Sequence, residues 1–140
     1  MIVLLDNGHG ALINLEYQTP GKRSPIWSDS SQLFEGEFNR SIVNGIIQEL
    51  TRLQIPYVNI APEYRDVRLE TRVNRANKFA SQNCFYLSIH SNAGGGYGSE
   101  IFTSPGDTKS DSIATIFGKE YLKTFPGRNL RTDFSDGDLD

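Results

Sequence analysis

Two histidines occur in the 140-residue chain, and each follows an apolar run and lies close to glycine. His9 lies in the segment IVLLDNGHG near the N-terminus, and His90 lies in CFYLSIHSNAGGG. An imidazole can bind a metal ion or transfer a proton near neutral pH. Two histidines in matched contexts favour a metal centre. A catalytic zinc site takes three protein ligands from His, Asp, Glu or Cys and leaves one position for water.

A third ligand is needed, and the segment LFEGEFNRSIVNGI contains two glutamates. Glu35 precedes the predicted helix face that begins at Phe38, so its carboxylate would be held rigidly at the end of an element. Glu37 lies beside Phe38 in the first turn, where an acidic side chain also stabilises the helix dipole. Each glutamate could be an ordinary helix-start residue, so the residues alone leave the third ligand open.

Short apolar runs at residues 2–5, 57–61, 85–89 and 101–103 predict the strands that would carry these side chains. Helical patterns lie between them, and this alternation predicts βαβ units. We expect an α/β fold of three layers, in which helices flank a mostly parallel, twisted sheet. In such sheets ligands bind beyond the carboxyl ends of the strands. If the first and third strands are neighbours, His9 and His90 reach one crevice.

Three segments carry apolar residues at spacings of three and four, which predicts amphipathic helices. The predicted buried faces are Phe38, Ile42, Ile46, Leu50 and Leu53 in the first, Leu69, Val73, Ala76 and Ala80 in the second, and Ile113, Ile116, Phe117 and Tyr121 in the third. Ser110 or Asp111 is the expected cap of the third helix.

Residues 10–31 contain scattered glycine, proline, asparagine and serine without a period, which predicts a long loop of the kind that is often functional. Tyr17 and Trp27 in this loop are expected to pack it down rather than to bind ligand. Arg72 and Arg75 are expected to form exposed ion pairs on their helix, each of little energetic value.

The composition indicates one globular domain with a real core, since hydrophobic residues make up 37% and charged residues 22% of the chain. A net charge of −3 gives no overall attraction to nucleic acid. The single cysteine, Cys84, excludes an internal disulfide framework and is expected to be a small buried residue. No apolar stretch approaches the roughly 18 residues of a membrane span.

The order of motifs resembles the zinc-dependent N-acetylmuramoyl-L-alanine amidases, the catalytic domains of bacterial autolysins and phage endolysins. The matching segments are DNGHG, then EGEFN, then VRLETRVNRAN, and then YLSIHSNA. The resemblance covers residues 2 to about 131. The spacing of Glu35 and Asn39 matches the family pattern, which selects Glu35 over Glu37.

The resemblance implies a Zn²⁺ ion held by His9, Glu35 and His90, with Ser91 and Asn92 at the substrate. The glycine run at residues 94–96 would let a bulky substrate approach, although it could equally be a plain turn. The reaction would be hydrolysis of the amide between N-acetylmuramic acid and the L-alanine of the stem peptide in peptidoglycan. The enzyme would act on the cell wall, in the periplasm or outside the cell. No signal peptide precedes residue 2, so we expect phage-type release or a removed leader.

The chain departs from the family at the general base. In the relatives this carboxylate is a glutamate on a strand near the C-terminus, and the sequence ends at Asp140 before such a segment. We therefore expect residues 1–140 to form a single catalytic domain that is truncated at its C-terminus and lacks the family's last strand and helix. Glu100 in GSEIF is the nearest internal alternative base. The terminal FSDGDLD is expected to be a solvated tail.

Two other functions stay open at this stage. The first is a zinc- and peptidoglycan-binding domain with impaired catalysis, which the missing glutamate favours. The second is a different metal hydrolase that uses the same pair of histidines, against which the motifs around Glu35 and Asn77 argue.

Overall fold

The computed structural model describes residues 1–91, 98–106 and 108–125, and the backbone of residues 129–131. The chain divides into two compact units, Met1–Ala93 and Gly94–Asp140. The elements of the first unit are β1 (Ile2–Asp6), β2 (Leu12–Ile13), β3 (Glu16–Tyr17), α1 (Glu35–Arg52), β4 (Tyr57–Asn59), α2 (Leu69–Asn77) and β5 (Cys84–Ser88). The second unit contains β6 (Gly98–Glu100), α3 (Lys109–Thr124) and β7 (Asn129–Arg131).

A parallel sheet with the strand order β4-β1-β5 forms the centre of the first unit. β1 pairs with β5 along its whole length, from Ile2 opposite Cys84 to Asp6 opposite Ser88. The predicted α/β class with a parallel sheet is therefore confirmed, and the first and third predicted strands are neighbours. Among the described residues, no helix combines the length and apolar character that crossing a bilayer requires.

The apolar core lies between the sheet and α1. Val3 and Leu5 of β1 pack with Val43 of α1 as the buried centre. Partly buried side chains from α1, β4, β5 and the residues that flank them surround this centre: Ile46, Ile47, Leu50, Ile55, Tyr57, Phe85, Leu87 and Ile89. Val3 and Leu5 share one face of β1 because side chains alternate along a strand.

α1 begins with Glu35 and Glu37 in its first turn and has Arg52 in its last, as the helix dipole favours. It ends in a Schellman motif. Gln54 adopts a left-handed backbone with φ of 56°, its N–H donates to the Thr51 carbonyl, and the Ile55 N–H donates to the Leu50 carbonyl. The turn delivers Ile55 to the core beside Leu50.

The predicted buried faces of α1 and α2 are partly wrong. Phe38, Ile42 and Leu53 are exposed, whereas Glu35, Gly36, Asn39 and Arg40 are buried with Val43. Leu69 and Val73 are exposed, and the buried residue of α2 is Arg72. The physical reason is that both helices turn polar side chains toward the carboxyl edge of the sheet, so apolar spacing does not mark the buried face there.

The loop prediction for residues 10–31 missed a small hairpin. β2 and β3 pair antiparallel, and the two residues between them, Asn14 and Leu15, both have positive φ. That combination belongs to the tight I′ turn that suits the twist of a hairpin.

In the second unit, β6 and β7 pair in parallel. The strand predicted at residues 101–103 is misplaced, because β6 ends at Glu100. α3 is present, but its N-cap is Thr108 rather than Ser110 or Asp111. Asp111 instead completes a capping box as the third helical residue, with its carboxylate accepting from the Thr108 N–H. Ile116 and Phe117 are exposed, and Ala114 and Gly118 are buried.

Candidate metal centre and active site

The structure brings His9, Glu35 and His90 together at the carboxyl edge of the sheet. His9 follows β1, His90 follows β5, and these two strands are parallel neighbours. Glu35 is the first residue of α1, the helix that packs on this sheet. Side chains from distant parts of the sequence therefore meet because adjacent parallel strands end at the same edge.

One carboxylate oxygen of Glu35 lies between the two imidazoles. Glu35 Oε1 is 3.4 Å from His9 Nε2 and 3.2 Å from His90 Nδ1. The three donor atoms lie within 4.8 Å of one another, and the imidazole rings are 5.0 Å apart at 84°. Two nitrogens and one carboxylate oxygen in this space are the donor types that zinc takes in catalytic sites.

The three side chains differ in how far they are exposed to solvent. The side chain of Glu35 is 8% exposed and that of His9 is 13% exposed, while that of His90 is 41% exposed. Burial lowers the pKa of His9, an effect that the Glu35 carboxylate opposes and His90 reinforces. The lowered pKa favours the neutral imidazole at physiological pH, which is the form that can bind a metal ion.

His9 Nε2 is buried and makes no hydrogen bond to any of the described residues. Its approach to Glu35 Oε1 is close but lacks hydrogen-bond geometry. A buried ring nitrogen without a partner is destabilising, since desolvation is not offset. The residues fit a metal ion, because an ion among these donors would satisfy the nitrogen.

Ser91 and Asn39 hold the Glu35 carboxylate from the side. The Ser91 N–H donates to Glu35 Oε1 at 3.0 Å, and the Ser91 hydroxyl donates to Asn39 Oδ1 at 2.9 Å. Asn39 is fully buried and lies four residues after Glu35, one helical turn further along α1. Ser91 was predicted at the substrate, and the structure places it against the glutamate. Asn92 and the glycines at 94–96 lie outside the described residues.

Glu37, the competing glutamate, serves another purpose. Its Oε1 accepts the Leu12 N–H at 2.6 Å, which ties the hairpin to the first turn of α1. Glu37 is not a member of the three-residue donor group. The structure therefore brings Glu35, and not Glu37, to the two histidines, and its role as a metal ligand stays a prediction.

The loop before α1 packs directly against the helix start. The Gly36 N–H donates to the Tyr17 hydroxyl at 2.8 Å, and the Tyr17 ring contacts Phe34 with ring centroids 4.8 Å apart. An ideal Cβ on Gly36 would lie 1.8 Å from the Gly10 carbonyl oxygen, so no side chain fits there. The expectation that Tyr17 packs the loop is confirmed, whereas Trp27 is half-exposed.

The sequence did not predict that the Arg72 side chain is buried. Its guanidinium pairs with Asp6 at 2.9 Å, with side-chain exposures of 9% and 1%. The exposed ion pair predicted for Arg72 is therefore wrong, because the strand end presents a buried carboxylate that needs a cation. Arg75 forms the half-exposed pair that was expected, with Glu63. Cys84 is partly buried, and its thiol donates to the Phe79 carbonyl.

The alternative base and the acidic tail stay predictions. Glu100, the alternative general base, ends β6 in the second unit, and the acidic tail at residues 134–140 lies outside the described residues. A cavity of about 430 Å³ runs along α1 and is lined by Arg40, Asn44 and Tyr64 among others, without the three donor residues.

The fold and site together define an α/β protein with a potential metal centre at the carboxyl edge of a parallel sheet. Residues 3–136 match the N-acetylmuramoyl-L-alanine amidases, and the chain belongs to that family. It is therefore an amidase of peptidoglycan, and it acts on the cell wall.

A solved structure supports the fold. The chain is similar to the catalytic domain of CwlV, an N-acetylmuramoyl-L-alanine amidase from Bacillus (Paenibacillus) polymyxa var. colistinus, with a TM-score of 0.64 and 18% identity. The match covers 99% of this chain and 74% of that chain. The comparison with curated proteins gives no match.

Proposed function

We propose that this amidase uses a Zn²⁺ ion held by His9, Glu35 and His90 to hydrolyse the amide between N-acetylmuramic acid and the L-alanine of the stem peptide. The observation that carries the proposal is the convergence of three donor atoms within 4.8 Å around a buried His9 nitrogen that has no hydrogen-bond partner among the described residues. When bound, the ion would lower the pKa of its water toward ~7 and polarise the amide carbonyl.

The chain's own residues prepare this site in separate ways. His9 and His90 supply neutral nitrogens, and the Glu35 carboxylate supplies a negative charge that offsets part of the ion's charge. The Ser91 N–H and the Asn39–Ser91 hydrogen bond fix the orientation of Glu35. Such partners raise metal affinity because they hold the ligand in its bound geometry. Contact of Ser91 and Asn92 with the substrate stays a prediction.

His90 defines the open side of the site. Its side chain is exposed on 41% of its surface, whereas His9 and Glu35 are nearly buried. We expect the stem peptide and glycan to approach from this side, since the inner side is closed by the sheet and α1.

The test is metal binding and wall hydrolysis by the purified protein. We expect chelation to remove activity and added Zn²⁺ to restore it, with mass spectrometry detecting stem peptides that carry a free L-alanine amino group. His9→Ala, Glu35→Gln and His90→Ala should each weaken Zn²⁺ binding by 100-fold or more, since each removes one of three protein ligands.

Glu37→Gln is the matched control, because it neutralises a neighbouring carboxylate of the same helix turn yet keeps an oxygen for the Leu12 N–H. It should leave Zn²⁺ affinity unchanged. Equal loss in Glu37→Gln and Glu35→Gln would contradict the ligand assignment. Zinc and wall binding without any released peptide would instead favour the alternative function, a peptidoglycan-binding domain with impaired catalysis.

A further inference from the structure

The Asp6 carboxylate at the end of β1 is a fully buried junction between three parts of the first unit. Its Oδ1 accepts the Gly8 N–H at 2.9 Å. Its Oδ2 accepts from Arg72 Nη1 of α2 at 2.9 Å and from the Tyr86 hydroxyl of β5 at 2.5 Å. A carboxylate that receives several hydrogen bonds, one of them from a cation, is held in a single orientation.

The turn that Asp6 fixes lies against one histidine and leads into the other. Gly8 has φ of 71°, and an ideal Cβ on it would lie 2.8 Å from His90 Cε1 and 2.9 Å from the Ile89 carbonyl oxygen. The bare backbone of Gly8 therefore packs on the His90 ring. His9 is the next residue, so the path of this turn sets the position of both imidazoles.

Tyr86 and Arg72 tie this turn to its surroundings. Tyr86 lies four residues before His90 on β5, opposite Leu4 of β1. Burial, and next the bond to Asp6, raise the pKa of Tyr86, so its hydroxyl remains a donor at neutral pH. Arg72 also donates from Nε to the Val67 carbonyl at 3.0 Å, which anchors the guanidinium to the segment before α2.

We infer that Asp6, Arg72 and Tyr86 form a positioning unit that sets the separation of His9 and His90 and thereby the metal affinity of the site. The inference rests on the proposed function, in which these histidines bind Zn²⁺. None of the three side chains belongs to the donor group itself. They act through the Gly8 turn.

A purely structural ion pair would behave differently. Its loss would lower the free energy of unfolding and leave the metal affinity of the remaining folded molecules unchanged. A positioning unit changes that affinity even at temperatures where every variant is folded, because the donors no longer lie at the separation the ion requires.

The experiment measures Zn²⁺ affinity by competition with a chromophoric chelator, at a temperature where circular dichroism shows each variant to be folded. Tyr86→Phe removes one hydrogen bond with little change of shape, and Asp6→Asn weakens all three. We expect a dissociation constant several-fold higher for Tyr86→Phe and 10- to 100-fold higher for Asp6→Asn, the range typical of partners that orient metal ligands. If Asp6→Asn does not fold, Tyr86→Phe decides.

Glu63→Gln is the matched control, because it removes an ion pair to the same helix through Arg75 without touching the Gly8 turn. Its Zn²⁺ affinity should equal that of the parent protein. Unchanged affinity in the Tyr86 and Asp6 variants, alongside lowered melting temperatures, would overturn the inference and leave a structural ion pair.

A second readout keeps this inference separate from the proposed function. In metal-free protein, NMR signals of the two imidazole rings should shift in Tyr86→Phe and stay in place in Glu63→Gln. If the parent protein binds no Zn²⁺ but the ring signals shift in Tyr86→Phe, the metal proposal is refuted and the positioning of the two histidines by this unit is retained. Unchanged ring signals in Tyr86→Phe would refute the positioning unit.

Discussion

The face of the β4-β1-β5 sheet that α1 covers is apolar, whereas the opposite face is tied to α2 by a buried ion pair. Val3 and Leu5 point to α1 and pack with Val43. Asp6 lies on the other face of β1, because side chains alternate along a strand, and its carboxylate forms an ion pair with Arg72 of α2. The α1 face gains stability from area removed from water, whereas the opposite face combines the buried Leu4 with one correctly placed pair of charges.

The contrast shows how one strand can serve two purposes. An apolar contact tolerates small displacements, since dispersion and burial have no strict direction. A buried carboxylate with three donors tolerates few, because a lost hydrogen bond leaves an unpaired charge. The face that must hold the Gly8 turn in place is the face built from directional bonds.

The largest effect that tests this contrast is expected for Arg72→Met. The variant leaves the Asp6 carboxylate buried without a cation, which should lower the free energy of unfolding by about 3 to 5 kcal/mol. Urea titration measures it. Arg52→Met is the control, because that arginine pairs with Glu49 on the exposed surface of α1. Similar losses in both variants would show that burial does not distinguish the two pairs.

Leu5→Ala probes the opposite face. Leu5 is fully buried against α1, so the truncation should cost about 2 to 5 kcal/mol through lost transfer energy and a residual cavity. Leu15→Ala, at the exposed tip of the β2–β3 hairpin, should stay within about 0.5 kcal/mol of the parent. An equal cost at both positions, measured in the same titration, would argue against an α1-centred core.

Gly36→Ala tests how tightly the site end of α1 is packed. The added methyl group meets the Gly10 carbonyl, so we expect a loss of about 1 to 3 kcal/mol. Gly45→Ala lies on the same helix in open space and should instead stabilise it by up to about 1 kcal/mol, since alanine is the better helix former. Thermal melts of the two variants should therefore move in opposite directions, and a shared direction would contradict the close contact.

Glu63→Gln should have the smallest effect, under about 1 kcal/mol, because the Glu63–Arg75 pair is partly exposed and screened by solvent. Its hydrogen bond to Arg75 lowers the pKa of Glu63 below its ordinary value of 4.5. A lowered folded-state pKa means that the stabilisation is present above pH 4.5 and is lost as the pH falls through the folded value. The difference from the parent should vanish in acid, and a difference that grows in acid would refute this.

The sequence predicted the strands that carry the site better than the helices that cover them. β1 and β5 are apolar runs within a parallel sheet, and a near-continuous apolar run by itself predicts a strand that is covered on both faces. The buried faces of α1 and α2 were partly wrong, because Asn39, Arg40 and Arg72 are buried through hydrogen bonds to distant residues. Apolar periodicity contains no information on those partners.

The sequence indicated the three residues that the structure brings together, but not the residues that hold them in place. Matched contexts at strand ends indicated His9 and His90, and family spacing selected Glu35. The structure adds how Glu35 is held, through Ser91 and Asn39. Asp6 and Tyr86 lie 80 residues apart in the chain, and no local pattern connects a strand-end aspartate with a tyrosine in another strand.

The contact between Gly36 and the Gly10 carbonyl also bears on how this end of the molecule opens. The amide protons of Gly10, Leu12 and Gly36 are bonded to Thr19, Glu37 and Tyr17, so each bond joins the loop to itself or to the helix start. With no side chain to act as a spacer, the loop cannot lift away from the helix start without exposing the amides of Leu12 and Gly36. Hydrogen–deuterium exchange at these amides should therefore follow a single opening event with one common free energy.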